Sequence, residues 1–131
     1  MKKIEVVAAI IKYGEEILCL QRPKNKLTYI SEKFEFPGGK IEFGETNIEA
    51  LKRELIEELE IEPSIGDLFL TINHQYPDFE IKMHSYICKV QTKEISLKEH
   101  ISAEWLILDK LNSLDWAAAD IPIVQKLIMN D

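Results

Sequence analysis

Gly39-Lys40-Ile41-Glu42-Phe43-Gly44-Glu45-Thr46-Asn47-Ile48-Glu49-Ala50-Leu51-Lys52-Arg53-Glu54-Leu55-Ile56-Glu57-Glu58-Leu59-Glu60-Ile61 is the stretch on which the reading of this chain turns. Thr46 followed three residues later by Glu49 forms a capping box, and Ile48, Leu51, Leu55 and Leu59 repeat at helical spacing. The pattern predicts a helix over about 47–59, ended by Pro63. On that helix Glu54, Glu57 and Glu58 stand at i, i+3 and i+4, which puts three carboxylates on one arc beside the leucine stripe. Like charges at that spacing repel, so the arc needs cations or full solvation. A hard divalent ion meets the need, because Mg²⁺ takes one or two carboxylates, keeps several waters and fills its other positions with substrate phosphates. The competing reading is a solvated acidic face whose partners are Lys52 and Arg53.

Outward from this segment, residues 4–13 are β-rich, Gly14-Glu15 marks a turn, and residues 17–21 form a second run, which predicts a hairpin. Residues 22–33 show no period and contain Pro23, so they read as a surface loop. Phe34-Glu35-Phe36 alternates as a short strand ending at Pro37-Gly38-Gly39. Beyond the helix, residues 65–76 and 79–90 read as antiparallel strands joined at Pro77-Asp78. A polar segment, 91–100, leads to a strand at 103–108, a helical turn near 109–114 and a last helix over about 121–129. The result is one α+β domain over residues 1–131, a mixed β-sheet sandwiched between helices.

A net charge of −7 disfavours a polynucleotide or an anionic membrane as the main partner and leaves room for small anions carried by divalent metals. No run reaches the length of a membrane span and no leader pattern opens the chain, so a soluble, cytoplasmic protein is expected. Cys19 and Cys88 lie in apolar runs with no companions at metal spacing and read as reduced, buried thiols.

The Gly39–Ile61 segment resembles the Nudix signature: Gly, five residues, Glu, seven residues, Arg-Glu-apolar-x-Glu-Glu-x-Gly-apolar. Gly39, Glu45, Arg53, Glu54, Leu55, Glu57, Glu58 and Ile61 supply eight of the nine specified positions over 23 residues. Glu60 stands where the pattern has its last Gly; a left-handed residue is usual there, so Glu either strains the backbone or forces a different ending. Phe34 to Lys40, Tyr76-Pro77-Asp78, Glu99 six residues ahead of Trp105, and Ala118-Ala119-Asp120-Ile121-Pro122 resemble the MutT-like nucleoside triphosphate pyrophosphohydrolases. The opening Ile4–Ile11, Gln21-Arg22-Pro23 and the Ala-Asp-Ile-Pro segment are most similar to the branch acting on CTP and related pyrimidine nucleotides.

The resemblance implies a Nudix fold in which the Gly39 carbonyl, Glu54, Glu57 and Glu58 ligate Mg²⁺ or Mn²⁺. Glu99 is then a further ligand or a general base; read alone it is a loop carboxylate in Lys98-Glu99-His100. Arg53 and Glu45 are expected to orient the carboxylate helix, and Arg22 is either a phosphate clamp or a solvated arginine before a proline. Asp120 either faces the base, accepting from an amino group such as the cytosine N4, or caps the last helix. Phe34, Tyr76 and Phe79 could stack on a base, or fill the core. Phe79 occupies a position where the 8-oxo-dGTP enzyme of the family carries arginine. His84, Trp105 and Trp116 are read as structural.

The implied reaction is attack at the β-phosphorus of a nucleoside triphosphate, CTP, dCTP or a modified pyrimidine nucleotide, releasing a nucleoside monophosphate and pyrophosphate. The residues alone imply only metal-assisted phosphoanhydride hydrolysis. Alternatives are 8-oxo-dGTP as substrate, a dinucleoside polyphosphate or nucleotide sugar, and a non-catalytic nucleotide-sensing module. A homodimer is left open by the sequence.

Overall fold

The computed structural model describes residues 1–130. Its centre is β1 (Lys2–Tyr13), whose residues Val6–Ile11 are all buried, so the strand is apolar on both faces as a central strand must be. Gly14, at φ 59°, makes the turn into β2 (Glu16–Gln21), with Lys12 opposite Ile17. β3 (Phe34–Glu35) and β7 (Ser102–Leu106) pair with β2, the latter over Ile17 to Gln21. On the other flank β6 (Phe79–Lys89) runs parallel to β1 and antiparallel to β5 (Ser64–Gln75), which carries register shifts between Ile65 and Leu70. The order along the sheet is therefore β3-β2-β1-β6-β5, a mixed sheet.

The two faces of β1 and β2 feed two cores. Val7, Ala9, Ile11, Leu18 and Leu20 pack against Leu51, Leu55 and Leu59 of α1 (Asn47–Leu59). Val6, Ala8, Ile10, Ile17 and Cys19 pack against Leu111 and against Ile123, Val124 and Leu127 of α2 (Ile121–Met129). The sheet lies between helices, as the sequence predicts. Cys19 sits in the α2-side core and Cys88 in the α1-side core, and burial pushes each thiol up to about 12.

The structure adds a short helical turn over Ala118–Asp120 that the sequence reading lacks, and it divides one expected strand. The expected strand 34–36 stops at Glu35, and Gly38–Lys40 forms a separate strand, β4, antiparallel to β1 with Val7 opposite Gly39. The cause is room: a Cβ on Gly38 would overlap the Val7 carbonyl, so two glycines in a row let the chain press onto β1. This short strand delivers Gly39 beside α1.

Among the described residues no helix is long and apolar enough to cross a membrane.

Candidate active site

The capping box closes α1 in both directions: Glu49 N donates to Thr46 Oγ1 at 3.2 Å and Thr46 N donates to Glu49 Oε1 at 2.8 Å. At the far end Glu60 takes the left-handed conformation, φ 56° and ψ 41°, so Glu occupies the glycine geometry rather than forcing a new ending. Lys98 lies 3.5 Å from its carboxylate.

Between these ends Arg53 gathers the acidic residues. Its Nε donates to Glu45 Oε2 at 2.7 Å and Nη2 donates to Glu45 Oε1 at 3.0 Å, a bidentate pair. Nη1 donates to Glu54 Oε1 at 2.8 Å and to Glu57 Oε2 at 3.2 Å, and Nη2 also reaches the Lys40 carbonyl at 2.9 Å. Arg53 thereby fixes the helix to the loop before it and to β4. The hydrogen bonds from Arg53 hold the Glu45 carboxyl below its usual range.

The three carboxylates are not equivalent. Glu57 is 58% exposed at its side chain, Glu54 15% and Glu58 only 4%, so a fully solvated acidic face describes Glu57 alone. Burial, then the contact with Glu54, raises the Glu58 carboxyl far above the normal carboxylate range, with the charges of Glu35 and Glu99 adding to it. Glu58 Oε1 is buried and has no hydrogen-bond partner. Glu54 also lies against Gly39, where a Cβ would overlap its carboxylate; only glycine lets the backbone come this close.

Among the described residues no three His, Cys, Asp or Glu side chains are already disposed as a metal-ligand set; Arg53 holds Glu54 and Glu57. The donor chemistry nevertheless fits a hard divalent cation. An orphaned carboxylate oxygen, crowded by like charge beside a backbone stripped of its side chain, is relieved by an ion with oxygen preference. Glu99, exposed, approaches from the facing segment, which is tied to the helix by Lys98 N donating to the Glu58 carbonyl at 3.2 Å and Ser96 N to the Leu59 carbonyl at 3.0 Å.

Next to Gly39 a cavity of about 250 Å³ opens between β1, β3, β6 and the start of α2; Arg22, Phe36, Tyr76, Phe79, Met83 and Asp120 are in its wall. Asp120 is 5% exposed. It makes no side-chain cap to α2, so the capping alternative falls; instead its Oδ1 accepts from the Phe36 backbone N–H at 3.1 Å. Burial, then the charge of Glu35, raises its carboxyl well above the ordinary value. The Tyr76 hydroxyl accepts from Ala119 N at 2.9 Å and locks the segment that carries Asp120.

Arg22 Nη1 donates to Glu35 Oε1 at 3.0 Å, and its Nε is buried without a partner. Phe34 does not line the cavity; it meets Trp116 edge-on and packs in the α2-side core. The aromatic that does reach the cavity is its neighbour Phe36, which stacks on Trp116 at 4.8 Å between ring centres. Strand alternation would put Phe34 and Phe36, two positions apart, on one face; β3 ends at Glu35, so the period breaks between them. Trp116 Nε1 donates to the Leu111 carbonyl, and His84 lies between Thr71 and Glu5, so both are structural as expected.

The NUDIX domain model matches residues 2–127. The chain belongs to the Nudix family. It is 36% identical over 128 residues to the 8-oxo-dGTP diphosphatase of Escherichia coli, covering 97% of this chain and 98% of that protein. The CTP pyrophosphohydrolase of the same bacterium is 34% identical over 125 residues, 95% of this chain and 91% of that one. The solution structure of the MutT protein of methicillin-resistant Staphylococcus aureus superposes with a TM-score of 0.77 at 39% identity, both chains covered completely. This Nudix chain is therefore an enzyme, a hydrolase, and the sensing-module alternative is set aside.

Proposed function

We propose that this Nudix hydrolase converts a nucleoside triphosphate to the nucleoside monophosphate and pyrophosphate, using Mg²⁺ or Mn²⁺ held by the Gly39 carbonyl, Glu54, Glu57, Glu58 and Glu99. One observation carries the reading: Glu58 is buried against other carboxylates with an oxygen that nothing in the chain satisfies. Replacing an isolated buried carboxylate by a paired one is strongly favourable, and a divalent cation is the partner that also binds phosphate. When bound, the ion neutralises phosphate oxygens and lowers the pKa of a water.

The chain's own residues do the rest. Arg53 keeps Glu54 and Glu57 oriented by charged hydrogen bonds. Glu99 adds a ligand or takes the proton of the attacking water. Arg22, with a buried guanidinium nitrogen unused, meets the phosphate chain. The cavity beside Gly39 receives the base.

A pyrimidine with an amino group, as in CTP or dCTP, suits that cavity. In its protonated form, which burial favours, Asp120 offers one O–H donor and one acceptor, the complement of the N3 and N4 edge of cytosine. Phe79 contributes a ring and no donor. The second reading, 8-oxo-dGTP, is supported by the diphosphatase relative. Pyrophosphate release measured across canonical and oxidised nucleotides with Mg²⁺ tests both: cytidine nucleotides are expected to give the highest kcat/KM. A larger value for 8-oxo-dGTP selects the second reading, and silence on every triphosphate overturns both.

A further inference from the structure

The motif reading passes over His100, yet the structure seats it between the two parts of the site. Its side chain is 4% exposed, and Nε2 lies 2.8 Å from Glu35 Oε2. Glu35 Oε1 accepts from Arg22 at 3.0 Å, so the histidine is anchored on the same carboxylate that holds the cavity arginine. On the other side of the ring, Nδ1 lies 3.8 Å from Glu58 Oε2 and has no hydrogen-bond partner. The backbone fixes this position: Lys98 N donates to the Glu58 carbonyl and Ile101 N donates to the Gln21 carbonyl at 3.0 Å.

We propose that His100 is a positioning residue that orients the Glu58 carboxylate for the cation and links it, through Glu35, to Arg22. The proposal rests on the metal-dependent reading above. The two oxygens of Glu58 then have separate duties: Oε2 faces the imidazole, and Oε1, unpartnered, faces the ion. A histidine retained for packing alone has no reason to leave a buried ring nitrogen aimed at a buried carboxylate. Hydrogen bonds among such site groups tighten when the ligand is bound. The chain of contacts also couples the two subsites, because a nucleotide that draws Arg22 away from Glu35 alters what holds His100.

The test is Mn²⁺ binding to the nucleotide-free enzyme, followed by electron paramagnetic resonance of the free ion, with kcat and KM alongside. His100→Ala is expected to weaken Mn²⁺ binding by about 10- to 100-fold and lower kcat by a similar factor, with KM within about threefold of wild type. His100→Asn, whose amide nitrogen sits near the place of Nδ1, recovers most of the affinity, and His100→Gln does not. Circular dichroism melts establish that each variant is folded at the assay temperature; if the alanine variant is not, the Asn and Gln pair decides. Wild-type affinity in His100→Ala, or equal affinity in Asn and Gln, overturns the proposal. Wild-type enzyme that fails to bind Mn²⁺ overturns the metal reading itself. Loss of binding in Glu57→Gln with none in His100→Ala overturns the role of His100 alone.

Discussion

Glu58 and Asp120 are the two buried carboxylates among the described residues, 3% and 5% exposed; Glu58 stands on α1 and Asp120 just before α2, the helices that cover the two faces of β1. Burial raises both, but their neighbours differ. Around Glu58 are Glu54, Glu35 and Glu99, with one oxygen unsatisfied; Asp120 shares the charge of Glu35 but has a backbone N–H donor on its carboxylate, Arg22 nearby and the rings of Phe36, Tyr76 and Phe79 in the same cavity wall. Like charge without compensation calls for a cation. A carboxyl whose charge burial disfavours, already holding one backbone N–H in a wall with aromatic rings, calls for a group that exchanges hydrogen bonds. The same side-chain chemistry thus serves charge at one place and shape at another, and environment decides which.

The contrast can be broken at four places. Glu58→Gln keeps the shape and removes the charge, so kcat should fall by about 10²–10³-fold with the protein folded, measured as pyrophosphate release. Arg53→Lys preserves the charge and loses the fork that reaches Glu45, Glu54 and Glu57, and kcat should drop by about 10- to 100-fold.

Asp120→Asn should leave kcat on the best substrate within about threefold and change the ranking of bases by about tenfold, read from kcat/KM across the nucleotide panel. The same variant has a pH signature. A carboxyl whose folded-state pKa is raised stabilises the fold below its unfolded pKa, and that contribution is lost as pH rises through the folded value. Urea unfolding of wild type should therefore lose more stability than Asp120→Asn from the ordinary carboxylate range upward. The smallest effect concerns the helix end: Glu60→Gly relieves the left-handed backbone and should raise Tm by about 2–4 °C with turnover unchanged.

Much of this architecture is legible because it obeys periodicity. Thr46, Glu49 and the leucine stripe announce α1 with its bounds, and the alternation in β1, β5 and β6 announces strands. The parallel pairing of β1 with β6 is a different matter, since residues 77 positions apart are brought together by packing rather than by local pattern. β4 escapes for a related reason: two glycines carry no strand preference, and only the closeness of Val7 makes them a strand.

Within the site, the box spacing presents Glu54, Glu57 and Glu58 as one arc, but helix geometry cannot say which of them β2, β3 and the 96–101 segment will bury. His100 is invisible to the motif because its neighbours, Glu35 and Glu58, are 65 and 42 residues distant in sequence. For Asp120 local grammar offers a helix cap and the resemblance offers a contact to the base; the structure has no cap bond and puts the residue in the cavity wall, its Oδ1 accepting from Phe36 N.

The cysteines carry a consequence of their own. Cys19 and Cys88 sit one on each side of the sheet, with thiols held near 12, so neither forms the nucleophilic thiolate that peroxide or an alkylating reagent attacks while the fold is closed. A hydrolase built this way has no reactive cysteine to lose under oxidative stress while it stays folded. It also carries an internal clock for each layer, because modification of one thiol or the other marks which face of the sheet opened first.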